Sequence, residues 1–429
     1  MRKVAALMMV LAIMLSGCKL PTGQTTLARA KSAVVATSTK TAIPTATKII
    51  PNPTATNEPA PTASPTPFRY GPEISSFPSG INPLTGSHVV DPASLGLPAV
   101  LISITNFPPS ARPQAGLSFA SWVFELYISE GMTRFLTVFY GDYPRASLPE
   151  SQPDVTKMPE STQTAGNTPS QGAGSGTAMV GPIRSGRLPY AYVRDFFNSS
   201  CLVYAGATVE IRDRLRGCSM VYGSDEDDIN SAMLDVSKLQ ELAKTNFRQG
   251  DAFNYAGNVF SQEPPVGGKP AAKMDIFYSY LNQGQWVYDT ESLKYLKFED
   301  FADGSGKFRP MTDKLTGGQL AYANVIVIYA EHTVINPYII DVNIGAGQRG
   351  KAVIFRDGQR YDAVWTTLNG DYEKQTGKRR PMRFEDVNGN PFPLGPGQSW
   401  IHIFTPYSYI EDKLEGNWLL RFVAPAGTK

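Results

Sequence analysis

Four arginines, and the residues beside them, are the side chains in this 429-residue sequence best suited to chemistry. Val180 to Arg187 reads Val-Gly-Pro-Ile-Arg-Ser-Gly-Arg, so that Arg184 and Arg187 bracket Ser185 and Gly186. Upstream, Ala111-Arg112-Pro113-Gln114 and Met132-Thr133-Arg134-Phe135 echo the pattern. A guanidinium stays charged, and its planar fork matches a carboxylate or phosphate with two parallel hydrogen bonds. Glycines at 181 and 186 would let backbone N–H groups approach such a ligand. Arg112, Gln114, Arg134, Arg184, Ser185 and Arg187 are therefore candidates for an anion site, with Glu125 and Glu130 as its candidate carboxylates. The competing role is internal: the same arginines would pair with Glu125, Glu130 or Asp195 and fix loop geometry.

Other chemistries find less support. Ser185 as a nucleophile needs a base, and the chain holds only His88, His332 and His402, none in a recognisable motif. His402 alternates with Ile401 and Ile403 along an apparent strand and reads as structural. No HExxH and no histidine pair at metal spacing occurs. Asp225-Glu226-Asp227-Asp228 and Asp386 to Asn390 have neither the glycine nor the late glutamate of a calcium loop in register, and the second reads better as a hairpin. Gly267-Gly268-Lys269-Pro270 lacks the upstream glycine and the Ser/Thr of a phosphate loop. No metal and no cofactor is expected.

The N-terminus places the protein. Met1-Arg2-Lys3 precedes an apolar run from Val4 to Leu15, too short to span a bilayer, and then Leu15-Ser16-Gly17-Cys18. This is a signal peptide, residues 1–17, ending in what resembles a bacterial lipobox. Cleavage would leave Cys18 to carry a lipid, and several fatty chains anchor stably because each buried CH₂ is worth about 0.8 kcal/mol. Residues 18–68 are mostly Thr, Pro, Ser and Ala and cannot offset their ordering entropy, so a disordered tether is expected, spanning roughly 40 Å on average. Removing Arg2 and Lys3 lowers the basic count from 40 to 38, against 38 acids. A neutral chain has no global field for nucleic acid. The expected location is extracytoplasmic, lipid-anchored to the cell membrane. In that setting Cys201 and Cys218 are free to oxidise, and the alternative is two buried thiols.

The elements that must position the arginines follow from apolar patterning. Ala99–Ile104, Phe119–Ile128 and Arg134–Tyr140 read as strands, with a helical turn as the alternative near Ala115–Ser121. Residues 149–178 are a low-complexity insertion expected to be disordered. Helices are expected at Pro189–Phe197, at Thr208–Leu215, and from a capping box at Ser237-Lys238-Leu239-Gln240, with a strand at Cys201–Ala205 between the first two. From about Phe253 the pattern is short aromatic and β-branched runs, with Arg356-Asp357-Gly358-Gln359 as a hairpin turn. The fold class is α+β: a mixed N-terminal domain at 80–250 and a β-rich C-terminal domain at 251–429.

Four stretches resemble one family. They are Ala111 to Ser118, Gly131-Met132-Thr133-Arg134-Phe135, Gly181 to Arg187, and Phe384-Glu385-Asp386 through Leu394-Gly395-Pro396-Gly397-Gln398-Ser399-Trp400. The chain resembles the YerB-like bacterial lipoproteins, whose two domains are of unknown function (DUF3048), over roughly residues 80–425. The resemblance implies a signal-anchored envelope protein with layered sheets; it supplies no activity. The sequence departs from the family pattern with Thr105-Asn106-Phe107 for Asp-Asn-His, Ser129-Glu130-Gly131 for Glu-Gly-Gly, Tyr204 for His, and Trp365-Thr366-Thr367 for Trp-x-Lys. The acid and histidines suited to catalysis are replaced while the arginines stay. The leading expectation is non-catalytic binding of an anionic or glycan envelope ligand, or of a protein partner, through the arginine-bearing loops. The rivals are a hydrolase or transferase acting on wall polymers with Glu125 or Glu130, and a structural scaffold of an envelope complex.

Overall fold

Three apolar runs of the N-terminal half become adjacent strands, Val100–Thr105, Trp122–Ser129 and Met132–Phe139. They are buried along nearly their whole length, which is why their sequences run apolar instead of alternating. Trp122–Ser129 and Met132–Phe139 form a hairpin that turns through left-handed Glu130 (φ 52°) and Gly131 (φ 75°). The computed structural model describes residues 68–145, 178–224, 226–248 and 252–429. The signal segment, Cys18, nearly all of the tether and nearly all of the 149–178 insertion lie outside these residues.

These strands sit inside a 16-stranded sheet. Ser399–Phe404, from near the C-terminus, lies parallel to Trp122–Leu126 on one side and to Asn324–Tyr329 on the other. Arg349–Arg356 and Gln359–Thr366 continue outward, joined by Asp357 and Gly358 at positive φ, as the Asp-Gly pair predicts. Beyond them come Lys269–Ser279, Asn282–Asp289 and Lys294–Asp300. The expected division at 250/251 is thus not a division of this sheet, and Ser64–Lys429 forms one compact unit. The protein is strand-rich, with several sheets and a few short helices.

Alternation along the strands builds two cores. On one face Ile102, Val123, Phe135, Val327 and Trp400 pack against Ile276, Tyr278 and Trp286 of the outer strands, which close over them. On the other face Leu101, Phe124, Leu126, Leu136 and Ile401 pack against Tyr190, Val193 and Phe196 of the Tyr190–Phe196 helix. Cys201 and Cys218 are joined in a disulfide with Cα atoms 5.7 Å apart.

Some local expectations change. Ser237 does not cap the third helix. Asp235 accepts from the Ser237 N–H instead, opening a 3₁₀ turn at Val236–Lys238 that runs into Leu239–Thr245. A carboxylate placed two residues earlier captures that donor first. Thr208–Leu215 shortens to the α-helix Val209–Arg212, and the turn near Ala115–Ser121 is one turn of 3₁₀ helix, Leu117–Phe119. The helix Asp371–Thr376 was not anticipated; Glu373 folds back to accept from the Gly370 N–H at 2.8 Å, and Gly377 ends it at φ 66°.

Candidate functional site

The Val180–Arg187 segment runs along the end of Val100–Thr105. Thr105 N–H donates to Pro182 O and Arg184 N–H to Ser103 O, and bridges form at Ile104/Ile183 and Ala115/Gly181. Gly181 sits at φ 145°, where a Cβ is strained, and Gly186 is closely packed. A Cβ at Gly181 would meet Met233 Sδ at 2.9 Å and Ile183 N at 3.0 Å, and one at Gly186 would lie 2.4 Å from Leu215. Tyr204 fills the space beside Gly186 and Gly217.

Arg134 Nη1 donates to Ser185 O at 3.0 Å. Ser103 Oγ lies 3.3 Å from the same carbonyl and 3.2 Å from the Tyr190 hydroxyl. Arg187 O accepts from Tyr190 N–H and so starts the helix. Arg134 and Arg187 both lie within electrostatic reach of Tyr190, and Arg187 within that of Arg184. The Arg187 Nε is buried with no hydrogen-bond partner among the described residues. Burial lowers the Arg187 guanidinium from its ordinary pKa; Tyr190 opposes this and Arg184 adds to it.

Arg112 is not part of this turn. Its Nη1 donates to Asp300 O (2.9 Å) and Oδ1 (3.1 Å), its Nη2 to Asn106 Oδ1 (3.2 Å), and its Nε lies 3.4 Å from Glu299. Its side chain is 2% exposed and stacks on Phe107. It is an internal ion pair, but with Glu299 and Asp300 instead of the carboxylates expected. Gln114 is buried too, and donates to Thr105 O. Glu130 is exposed and lies 3.5 Å from Lys429.

Glu125 and the arginine turn occupy opposite faces of the sheet. Glu125 is paired with Phe135, and Leu126 with Arg134, and successive residues of a strand point to opposite sides. The expected site, which joined Arg112, Gln114, Glu125, Glu130, Arg134, Arg184, Ser185 and Arg187, is thereby split. Arg134, Arg184, Ser185 and Arg187 are brought together; the other four are elsewhere.

Glu125 heads a buried network of its own. Oε1 accepts from Thr133 (2.9 Å) and Oε2 from Trp400 Nε1 (2.9 Å). His402 Nδ1 lies 3.3 Å and Lys297 Nζ 3.9 Å from Oε2. Trp286 Nε1 points at His402 Nε2 at 3.2 Å. An indole N–H only donates, so Nε2 accepts and the proton sits on Nδ1, facing Glu125 and Tyr278. Burial, and then Lys297, hold His402 well below its ordinary pKa, so this imidazole is neutral. Lys297 is sandwiched 4.3 Å from the ring centroids of both Trp286 and Trp400. Burial lowers it to about 8, with Glu125 the largest opposing influence. The adjoining cavity is about 20 Å³, space for one water and no substrate. Sequence reasoning missed Lys297 because an inward lysine on the alternating Tyr295–Phe298 run looks like a solvated one. Among the described residues no group of three His, Cys, Asp or Glu is placed to hold a metal ion.

Fold and site together define a strand-rich protein whose two sequence halves share a sheet and whose best-placed acid is sealed in its core. Residues 84–149 match the N-terminal domain, and 274–401 the C-terminal domain, of a protein family of unknown function, DUF3048. Both domain models match in chain order, which supports a member of this YerB-like family. It is 26% identical over 334 residues to YerB of Bacillus subtilis (strain 168), a lipoprotein by name, covering 75% of this chain and 85% of that one. The crystal structure of the YerB protein from Bacillus subtilis superposes with a TM-score of 0.53 at 21% identity, over 75% of this chain and 95% of that one, a likeness of fold. The Val180–Arg187 turn lies between the two matched regions. Among the described residues no helix is long and apolar enough to cross a membrane.

Proposed function

We propose that this chain is an extracytoplasmic lipoprotein, anchored through Cys18, that binds an anionic envelope ligand at the Val180–Arg187 turn without catalysis. Arg187 carries the reading. A half-buried guanidinium beside a second arginine, with no acceptor for its Nε among the described residues, costs stability unless an anion completes it. Ser185 and the rigid glycines shape the turn, and Arg184 adds charge. The lipobox and the relative's name support the anchor. The sealed position of Glu125 speaks against acid–base work on a polymer, which needs the carboxylate within reach of substrate.

The test is binding of purified wall fragments to the full chain. Arg187→Gln should weaken binding at least about ten-fold, as loss of one charge-assisted bidentate contact does. Its unfolding midpoint without ligand should stay level or rise, because a poorly solvated cation has been removed. Undiminished binding by the variant sinks the proposal.

A further inference from the structure

A second basic cleft opens at the C-terminal end of the Tyr190–Phe196 helix, formed by residues other than those of the arginine turn. Its volume is about 440 Å³, in the usual range of small-molecule sites. Three segments each give it an arginine: Arg194 from the helix, Arg216 from the stretch before Gly217, and Arg379 from the stretch after Asp371–Thr376. One carboxylate, Asp195, opposes them, leaving a formal balance of +2 (three minus one). Arg194 is already held, donating to Arg216 O at 3.0 Å and lying 3.4 Å from Asp195. Among the described residues the side chains of Arg216 and Arg379 have no hydrogen-bond or ion-pair partner.

The wall between them is built, not loose. Ser199 is left-handed at φ 63°, uncommon for a residue with a Cβ. Its neighbours are pinned on both sides: Tyr255 donates to Asn198 O at 2.7 Å, Asn246 donates to Ser200 O at 3.0 Å, and the Asn198 amide donates to Arg379 O. That last bond ties the N-terminal wall to the segment carrying Arg379. A backbone held in a sparsely populated conformation by its surroundings is a mark of binding sites.

We propose that this cleft binds a phosphate group, with Arg216 and Arg379 as forked donors and Arg194 as a fixed third cation. A carboxylate offers two oxygens in one plane. A phosphate offers oxygens in three directions, matching donors that arrive from three segments, and its charge of one to two suits the +2 balance. The group could come from a free phosphate ester or from the phosphodiester of a lipid headgroup.

The full chain in neutral detergent is titrated with glycerol phosphate, with dihexanoyl phosphatidylglycerol as the diester, and with acetate as the carboxylate control. Binding is read by calorimetry and by the shift in unfolding midpoint. At least one phosphate probe should bind and acetate should not. A response to the monoester identifies a free phosphate ligand, and one to the diester a headgroup; either supports the site. The double variant Arg216→Gln/Arg379→Gln should lose at least about ten-fold in affinity, with an unchanged ligand-free midpoint. Asp195→Asn should tighten binding, and Arg187→Gln should leave it unaltered, which separates this site from the arginine turn. Failure of both phosphate probes at millimolar concentration, equal binding by the double variant, or equal binding of acetate would each overturn the assignment.

Discussion

At the scale of single residues, the informative side chains are those whose charge is badly solvated. Arg187 and Lys297 are two of them, and they differ in what surrounds them. Lys297 has Glu125 at 3.9 Å and two indole faces, so its charge is met inside the protein. Its pKa is nevertheless lowered by burial to about 8, whereas an unfolded lysine titrates near about 10.4. Between those values the unfolded chain binds more protons than the folded one, so this group makes stability rise with pH across that window. Below about pH 8 the penalty is constant. The urea midpoint of the protein should therefore rise relative to that of Lys297→Met between about pH 8 and 10. Parallel pH profiles would show that Lys297 titrates normally.

At the scale of elements, a buried acid does what backbone pairing alone does not. Asp313 is fully buried and accepts from the N–H groups of Gly116 (2.8 Å), Ser118 (2.7 Å) and Leu315 (2.8 Å). Two of those donors open the turn at Leu117–Phe119, so one carboxylate of the C-terminal half shapes a loop of the N-terminal half. Asp313→Ala leaves three N–H groups short of an acceptor and should cost about 3 kcal/mol in denaturant unfolding. A loss under about 1 kcal/mol would mean that water or a backbone shift replaces the carboxylate. The two carboxylates that end the strand Lys294–Asp300 show the same dependence on partners. Glu299 and Asp300 hold Arg112, and nothing in the local sequence of Ala111 to Gln114 names them.

At the scale of the molecule, the strand Ser399–Phe404 is the tie. It lies between Trp122–Ser129 and Asn324–Tyr329, with all six residues buried. A fragment ending at residue 250 would expose one edge of Trp122–Ser129 and the face that Ile276, Tyr278, Trp286 and Trp400 cover, more apolar surface than its own contacts can offset. Such a fragment should show no native-like hydrogen-exchange protection, and the whole chain should lose its sheet in one cooperative transition. A fragment with protected, native-like strands would show that the N-terminal half folds alone.

The sequence by itself determined the local pieces. The apolar runs marked the strands of the Trp122–Phe139 hairpin, and Asp357-Gly358 marked the turn of the Arg349–Thr366 hairpin, whereas Gly181 and Gly186, read as room for N–H groups to meet a ligand, donate to Ala115 O and Gly206 O. Motifs scattered from Ala111 to Trp400 were enough for the family. Only the tertiary structure decided which of those pieces face one another. Arg112 and Arg134 carry the same chemistry in similar settings, yet one is sealed against Glu299 and Asp300 and the other reaches Ser185 O across the opposite face. That choice depends on strand register, where a shift of one residue exchanges the faces, and on a parallel pairing between segments some 275 residues apart in the chain. Short-range pattern carries no record of either, so the arginines were legible as chemistry and illegible as a site.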